Sequence, residues 1–332
     1  MGLFNRILEL ESAKKLLEEQ EYVFVYASLE NNTEKEARGY VCREHLKAES
    51  SIEVIYKVWG MTAEGKINDG FEVILPDYGL KTYSLLEKGE MSDFIAMLHS
   101  RSKCLVIDFT LMNIRFLGVL LSQLYMMEWN NVLFCYTEPK TYIIENTKDI
   151  KFDMKKTMLG CEEIPGLETK SASDQRLNWV TFLGFESGRL GRMEEHIMGK
   201  RDNIIPVICI PSMHVEWHNY AMDVHRDFLE KVKERDQISY VSATNPFDVY
   251  NYLCRERDNH NRRMVITPIS TKPVILGTLM YILENPEDML LWDNPYQTQP
   301  NAEENGRILF YDLSYYIRNV KNTRVMKKEL PV

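Results

Sequence analysis

The stretch VITPISTKPVILGTLMYIL, residues 265 to 283, decides how this chain is read. It opens with a short apolar run, passes through the polar turn Ser270-Thr271-Lys272, and continues from Pro273 in an amphipathic helical pattern. A strand that feeds a helix through a tight polar turn is the building unit of α/β folds. The same unit occurs earlier as VIDFTLMNIRFLGVLLSQL, residues 106 to 124. Val106, Ile107, Leu117, Gly118 and Leu120 align without a gap with Val265, Ile266, Leu276, Gly277 and Leu279.

Working outward, short apolar runs alternate with helical patterns along most of the chain. Strands are expected over 22–29, 51–59, 71–76, 104–109, 131–136, 179–185, 204–210, 238–243, 263–269, 289–293 and 307–313. Stretches such as LMNIRFLGVLLSQLYMM and EWHNYAMDVHRDFLEKVKE read as helices between them. The strands are apolar throughout rather than alternating, as expected when helices cover both faces of a parallel sheet. Three further matches in the same order extend the internal similarity: FVYASLE with VTFLGFE, YSLL with YNYL, and CYTEPKTY with LWDNPYQT. The expected fold is therefore α/β, with mostly parallel doubly wound sheets in two tandem Rossmann-like halves related by duplication. The boundaries run as an N-terminal helix (1–20), a first half (21–140), a polar linker (141–177), a second half (178–313) and a basic tail (314–332).

The chain of 332 residues is 45% hydrophobic and carries a net charge of −9, so a broad basic face for nucleic acid is not expected. Six scattered cysteines include no Cys-x-x-Cys pair, so the expectation is reduced, buried thiols and no metal site or cofactor. Early charges and the lack of a long apolar run point to a cytoplasmic protein without membrane attachment.

Ligands of open parallel sheets bind beyond the carboxyl ends of the strands. Three strand-to-helix turns are candidates. In GFESGRLGR, Glu186, Ser187, Gly188 and Arg189 follow the first strand of the second half and offer an anion a helix start and a cation. In the opening stretch, Ser270, Thr271 and Lys272 do the same. Thr271 suits a helix cap and Pro273 a first turn, whereas Lys272 opposes the helix dipole and invites an anion. In SATNPFD, Asn245 suits a cap and Asp248 a first helical turn. In the first half, Asp108, Thr110 and Arg115 line the equivalent turn. His214 and His218 lie one helical turn apart, but with His225 they read as helix surface rather than a metal set.

The turn ITPISTKPVILG resembles the strand–Thr-Gly-Gly-Thr-Lys–helix motif of CRISPR-associated Rossmann-fold sensor domains. Thr267, Thr271, Lys272 and Gly277 carry the match, while Pro268, Ile269 and Ser270 depart from the glycine pair. The duplicated style is also similar to Rossmann-like accessory proteins of prokaryotic immune operons. The resemblance implies a sensor that binds a nucleotide or a nucleic-acid end, acting with a protein partner or as a homodimer. Two alternatives stand beside it. One is a nucleotide or nucleoside hydrolase or transferase using Glu186, with Asp108 or Asp248 nearby. The other is a ligand-free scaffold subunit.

Overall fold

Each apolar run expected as a strand contains one in the computed structural model, which describes residues 6–28, 38–75, 79–87, 89–129, 131–142, 159–169, 177–197, 201–232, 238–260, 262–295 and 302–318. The architecture is α/β, with one large mixed sheet and one parallel sheet, in two compact units. Among the described residues no helix is long and apolar enough to cross a membrane.

The larger sheet belongs to a unit built from residues 4–143 and 302–332. Its strands are β1 (Ile7–Glu9), β2 (Tyr22–Ser28), β3 (Ser51–Met61), β4 (Ile67–Leu75), β5 (Gly79–Ser84), β6 (Cys104–Asp108), β7 (Val132–Tyr142) and β13 (Ala302–Asp312). They lie in the order β1-β13-β7-β6-β2-β3-β4-β5. The pairs β2–β3, β2–β6 and β6–β7 are parallel. The pairs β3–β4, β4–β5, β7–β13 and β1–β13 are antiparallel.

This corrects the expectation of a mostly parallel sheet in the first half. The β3–β4 connection is a tight turn in which Gly65 has φ 79° and Lys66 N–H bonds Thr62. A turn that short reverses the chain and forces antiparallel pairing. Ile52 and Val54 alternate with less buried neighbours, the pattern of a strand with one face covered. Two further corrections follow from pairing. Residues 7–9 form a strand before helix α1 (Leu10–Leu17), and β13 returns to the first unit rather than closing the second half.

Helices cover both faces of this sheet. Helix α1 and α2 (Arg38–Leu46) pack on Phe24, Tyr26, Val106, Leu133, Cys135 and Phe310. On the opposite face α3 (Glu90–Arg101) and α4 (Ile114–Met126) pack an aromatic cluster of Phe71, Tyr83, Phe94 and Phe116.

The second unit spans residues 144–301. Its strands β8 (Leu177–Leu183), β9 (Arg201–Cys209), β10 (Ser239–Val241), β11 (Met264–Ile269) and β12 (Met289–Leu290) are all parallel, in the order β10-β9-β8-β11-β12. One face packs on α5 (Ser187–Ile197) and α7 (Arg226–Glu230), with Trp179 at its centre. The other is covered by α8 (Pro246–His260) and α9 (Lys272–Glu284), with Tyr252 edge-on to Phe182. These two helices touch where Gly277 has no side chain, since a Cβ there would stand 2.3 Å from the Pro246 carbonyl oxygen. Part of the supposed linker also packs here: Ile164 and Leu167 are buried, and Glu162 bridges Trp292.

Two of the four internal matches fall on unlike elements. Tyr83 ends a strand while Tyr250 lies in α8, and CYTEPKTY is strand where LWDNPYQT follows one. Glu30, matched to Glu186, lies outside the described residues.

Candidate functional site

The chain builds the parallel sheet outward from β8 through β9 to β10, then crosses back to lay β11 and β12 on the other side. The strand order therefore reverses between β8 and β11. At the carboxyl edge of that junction the loop 184–186 runs into α5, and Ser270-Thr271 runs into α9. Gly184 lets the two loops meet: a Cβ there would stand 2.4 Å from the Ile269 carbonyl oxygen and 3.2 Å from Ser270 Cα.

Of the residues expected at this edge, Ser187, Ser270, Thr271 and Lys272 are half-buried and Gly188 is exposed. Ser270 Oγ lies 3.1 Å from Cys209 Sγ, at the end of β9. Burial pushes that thiol up to about 12, with the Ser270 hydrogen bond opposing. Thr271 precedes α9, but its side chain does not cap the helix. Its hydroxyl donates to the Ala243 carbonyl and ties the β10 loop to this edge. Pro273 sits in the first turn of α9, as its fixed φ and missing N–H favour.

Arg189 and Glu186 take roles other than the expected ones. Arg189 is buried, and its Nε and Nη2 donate to Asp293 at 2.9 Å and 2.6 Å. Its Nη1 donates to Glu186 at 2.9 Å, and its guanidinium lies over the Trp292 ring at 4.3 Å. The guanidinium thus faces two carboxylates of its own chain rather than an incoming anion. Helical spacing brings Glu186 within reach, and β12 delivers Asp293 from 104 residues away. That second partner has no local sequence signal.

Asn245 caps α8, its Oδ1 accepting from Phe247 N–H and Asp248 N–H. The Asp248 carboxylate in turn accepts the Ser242 N–H at 2.8 Å. Both residues are therefore engaged in shaping the turn, Asp248 from the first turn of α8. Thr267, one of the motif matches, accepts the Trp179 indole N–H in the core.

His225 is also buried, at the junction of α6 (Trp217–Val224) and α7, rather than on a helix surface. Its Nε2 lies 3.0 Å from the Gly184 carbonyl oxygen, which can only accept, so Nε2 carries the proton. Nδ1 has no hydrogen-bond partner. Burial lowers the imidazole pKa to about 4, with the Gly184 bond opposing. The unfolded chain therefore binds this proton more readily between pH ~6.5 and ~4, and stability falls as pH drops through that window. The expected loss is on the order of 3 kcal/mol. Urea unfolding of wild type and His225→Gln at pH 7 and pH 4 checks it, since the variant lacks this component of the slope.

In the larger sheet the order reverses between β2 and β6, and Asp108 ends β6. Its Oδ1 accepts the Thr110 N–H at 2.9 Å, and Thr110 Oγ1 accepts the Thr137 N–H. Burial raises the Asp108 carboxyl to about 7, opposed by Thr110 and by the charge of Arg38. Arg115 does not join this edge. Its Nε and Nη2 hold Asp69 of β4 at 2.6 Å and 3.2 Å, with both side chains buried. Its expected ligand role is replaced by a buried ion pair, formed with a residue 46 positions away.

No protein-family model, curated protein or solved structure matches this chain. The geometry alone thus carries the functional reading. It brings Ser187, Gly188, Ser270, Thr271 and Lys272 to the two loops of one strand-order reversal. It withdraws Arg189 and Arg115 into ion pairs.

Proposed function

We propose that the chain binds a phosphate-bearing nucleotide, or the end of a nucleic acid, at the carboxyl edge of the parallel sheet, as a sensor or accessory protein. The observation that carries this reading is the reversal of strand order between β8 and β11, flanked by the starts of α5 at Ser187 and α9 at Lys272. Loops leave the two strands in opposite directions at such a point and open a crevice. The first-turn N–H groups of a helix suit phosphate oxygens. Lys272 stands in such a turn, where its charge opposes the helix dipole and a bound anion offsets both.

In this reading Ser187, Gly188, Ser270 and Lys272 contact the ligand. Thr271, Asn245 and the Glu186–Arg189–Asp293 group hold the loops in shape. Glu186 facing Arg189 favours binding over chemistry. The strand order β7-β6-β2-β3 matches β12-β11-β8-β9 in direction and chain sequence, which supports descent of both units from one Rossmann-like ancestor. The resemblance to CRISPR-associated sensors extends the proposal to antiviral defence.

Melting of the purified chain with nucleotides, cyclic dinucleotides and short oligonucleotides tests the reading. A ligand at 100 times its Kd adds about 2.7 kcal/mol. Lys272→Ala is expected to weaken binding roughly 10- to 100-fold, the worth of one charge-assisted hydrogen bond at about 1.5–3 kcal/mol. A shift untouched by Lys272→Ala places the phosphate elsewhere, and no shift with any ligand favours the scaffold alternative. Consumption of the ligand on the same samples favours the enzyme.

A further inference from the structure

Two cysteines and an aspartate far apart in the chain meet inside the larger unit. Cys42 comes from α2, Asp108 from the end of β6 and Cys135 from β7. Asp108 and Cys135 are directly paired across adjacent parallel strands, so their side chains leave the sheet on the same face. That is the face covered by α2, which lowers Cys42 onto them. The two sulfurs are 3.3 Å apart. A carboxylate oxygen of Asp108 and both sulfurs all lie within 4.8 Å of one another, and all three residues are buried.

Apolar packing accounts for the cysteines but not for the aspartate between them. Asp108 is 1% exposed, yet only Oδ1 has a hydrogen-bond partner, and Oδ2 has none. A buried carboxylate oxygen without a partner carries a desolvation cost that a neighbouring apolar residue would avoid. A cation at this point supplies the missing partner and gives the two sulfurs a common function.

We propose that Cys42, Cys135 and Asp108 bind a thiophilic divalent cation of the zinc type. Two thiolates and a carboxylate suit a borderline-soft ion, whereas magnesium and calcium prefer all-oxygen sites. Tetrahedral zinc with Zn–S bonds near ~2.3 Å separates its sulfurs by roughly 3.8 Å, so the pair opens by about half an ångström, within small side-chain rotations. Two thiolates, a carboxylate and a divalent ion leave one net negative charge, and the nearby Arg38, whose charge already acts on Asp108, balances it. Cys42, Cys135 and Asp108 supply three ligands, and among the described residues no fourth His, Cys, Asp or Glu side chain joins the group. Binding releases a proton from each thiol, and from the Asp108 carboxyl where it is protonated, to solvent, with no change of oxidation state. The site lies in the other unit from the proposed phosphate edge and stands independently of it.

The test uses the full-length chain, reduced, freed of metal and titrated anaerobically with cobalt(II). A single ion per chain is expected, with a thiolate-to-cobalt charge-transfer band in the near ultraviolet that zinc abolishes by displacement. Cys42→Ser and Cys135→Ser each lose at least half of the band and the double variant loses all of it, whereas Cys161→Ser, outside the group, keeps it. Asp108→Asn weakens zinc binding by at least about 10-fold. Circular dichroism and melting of each metal-free variant separate a lost site from a lost fold. If Cys42→Ser does not fold, loss of at least half of the band in folded Cys135→Ser carries the same weight. The proposal is overturned if the folded wild type shows no band, or if the band survives at full intensity in Cys42→Ser and Cys135→Ser. It is also overturned if peptide mapping finds a Cys42–Cys135 disulfide in the isolated protein and the reduced form takes up no metal.

Discussion

Arg189→Met is expected to lower the stability of the parallel-sheet unit by about 3–5 kcal/mol, the loss typical when one partner of a buried ionic group is removed. Asp293 is 1% exposed and Glu186 is also buried, so the variant removes the cation that both carboxylates share and leaves Asp293 the longer 3.8 Å contact with Arg192. It also removes the planar group from the Trp292 ring. Arg189→Lys is expected to recover only part of the loss. A lysine keeps the charge but cannot span the Asp293 carboxylate and reach Glu186 with one rigid fork. The triple variant Arg189→Met, Glu186→Gln, Asp293→Leu separates the causes. If uncompensated charge dominates, the triple variant is more stable than Arg189→Met alone. Urea denaturation followed by tryptophan fluorescence measures all three, because Trp292 touches the substituted side chain. A loss below about 1 kcal/mol in Arg189→Met, the scale of an exposed ion pair, contradicts the buried network.

The strand-to-helix unit of residues 265–283 was legible because local pattern decides it. An apolar run, a polar turn and a proline at a helix start each act within a few residues. Asn245 as a helix cap was legible for the same reason. Partners set by topology were not. Nothing near Arg189 announces Asp293, and nothing near Arg115 announces Asp69, so both arginines read as ligand-binding cations. The group of Cys42, Asp108 and Cys135 was hidden likewise, since it needs strand pairing and a covering helix at once. In the antiparallel β3–β4–β5 ribbon, β3 and β4 were misread because they are apolar enough to pass for buried parallel strands, and β5 was missed because its short run is mostly exposed and only Tyr83 is buried. The tight β3–β4 turn and the alternation at Ile52 and Val54 were the available signals. Thr271 shows the remaining limit. Its position at the helix start was legible, but a nearby carbonyl of another loop, Ala243, took its hydroxyl.

Asp69→Ala is expected to cost the larger unit a comparable amount, about 3–5 kcal/mol, for the opposite reason of charge. Asp69 is fully buried and holds Arg115 through two hydrogen bonds, with Tyr56 O–H donating to the same carboxylate at 2.6 Å. Burial and the adjacent Asp69 charge push the Tyr56 hydroxyl well above its ordinary pKa, so it remains a donor. Removing the carboxylate takes from the buried Arg115 guanidinium the ion-pair partner that holds its Nε and Nη2, and from the Tyr56 hydroxyl this acceptor. Asp69→Asn is isosteric and keeps an acceptor oxygen for Tyr56, but it does not restore the charge. It is therefore expected to lose most of the same stability. Arg115→Met with Asp69→Leu removes both charges together and is expected to recover part of the loss, at the risk of strain in the packed sheet. Hydrogen exchange read by mass spectrometry localises the effect: protection falls in peptides of β4 and α4, which the ion pair joins. Equal stability of Asp69→Asn and wild type would mean that Arg115 has another anion at hand, which makes this comparison the sharper test of the pairing.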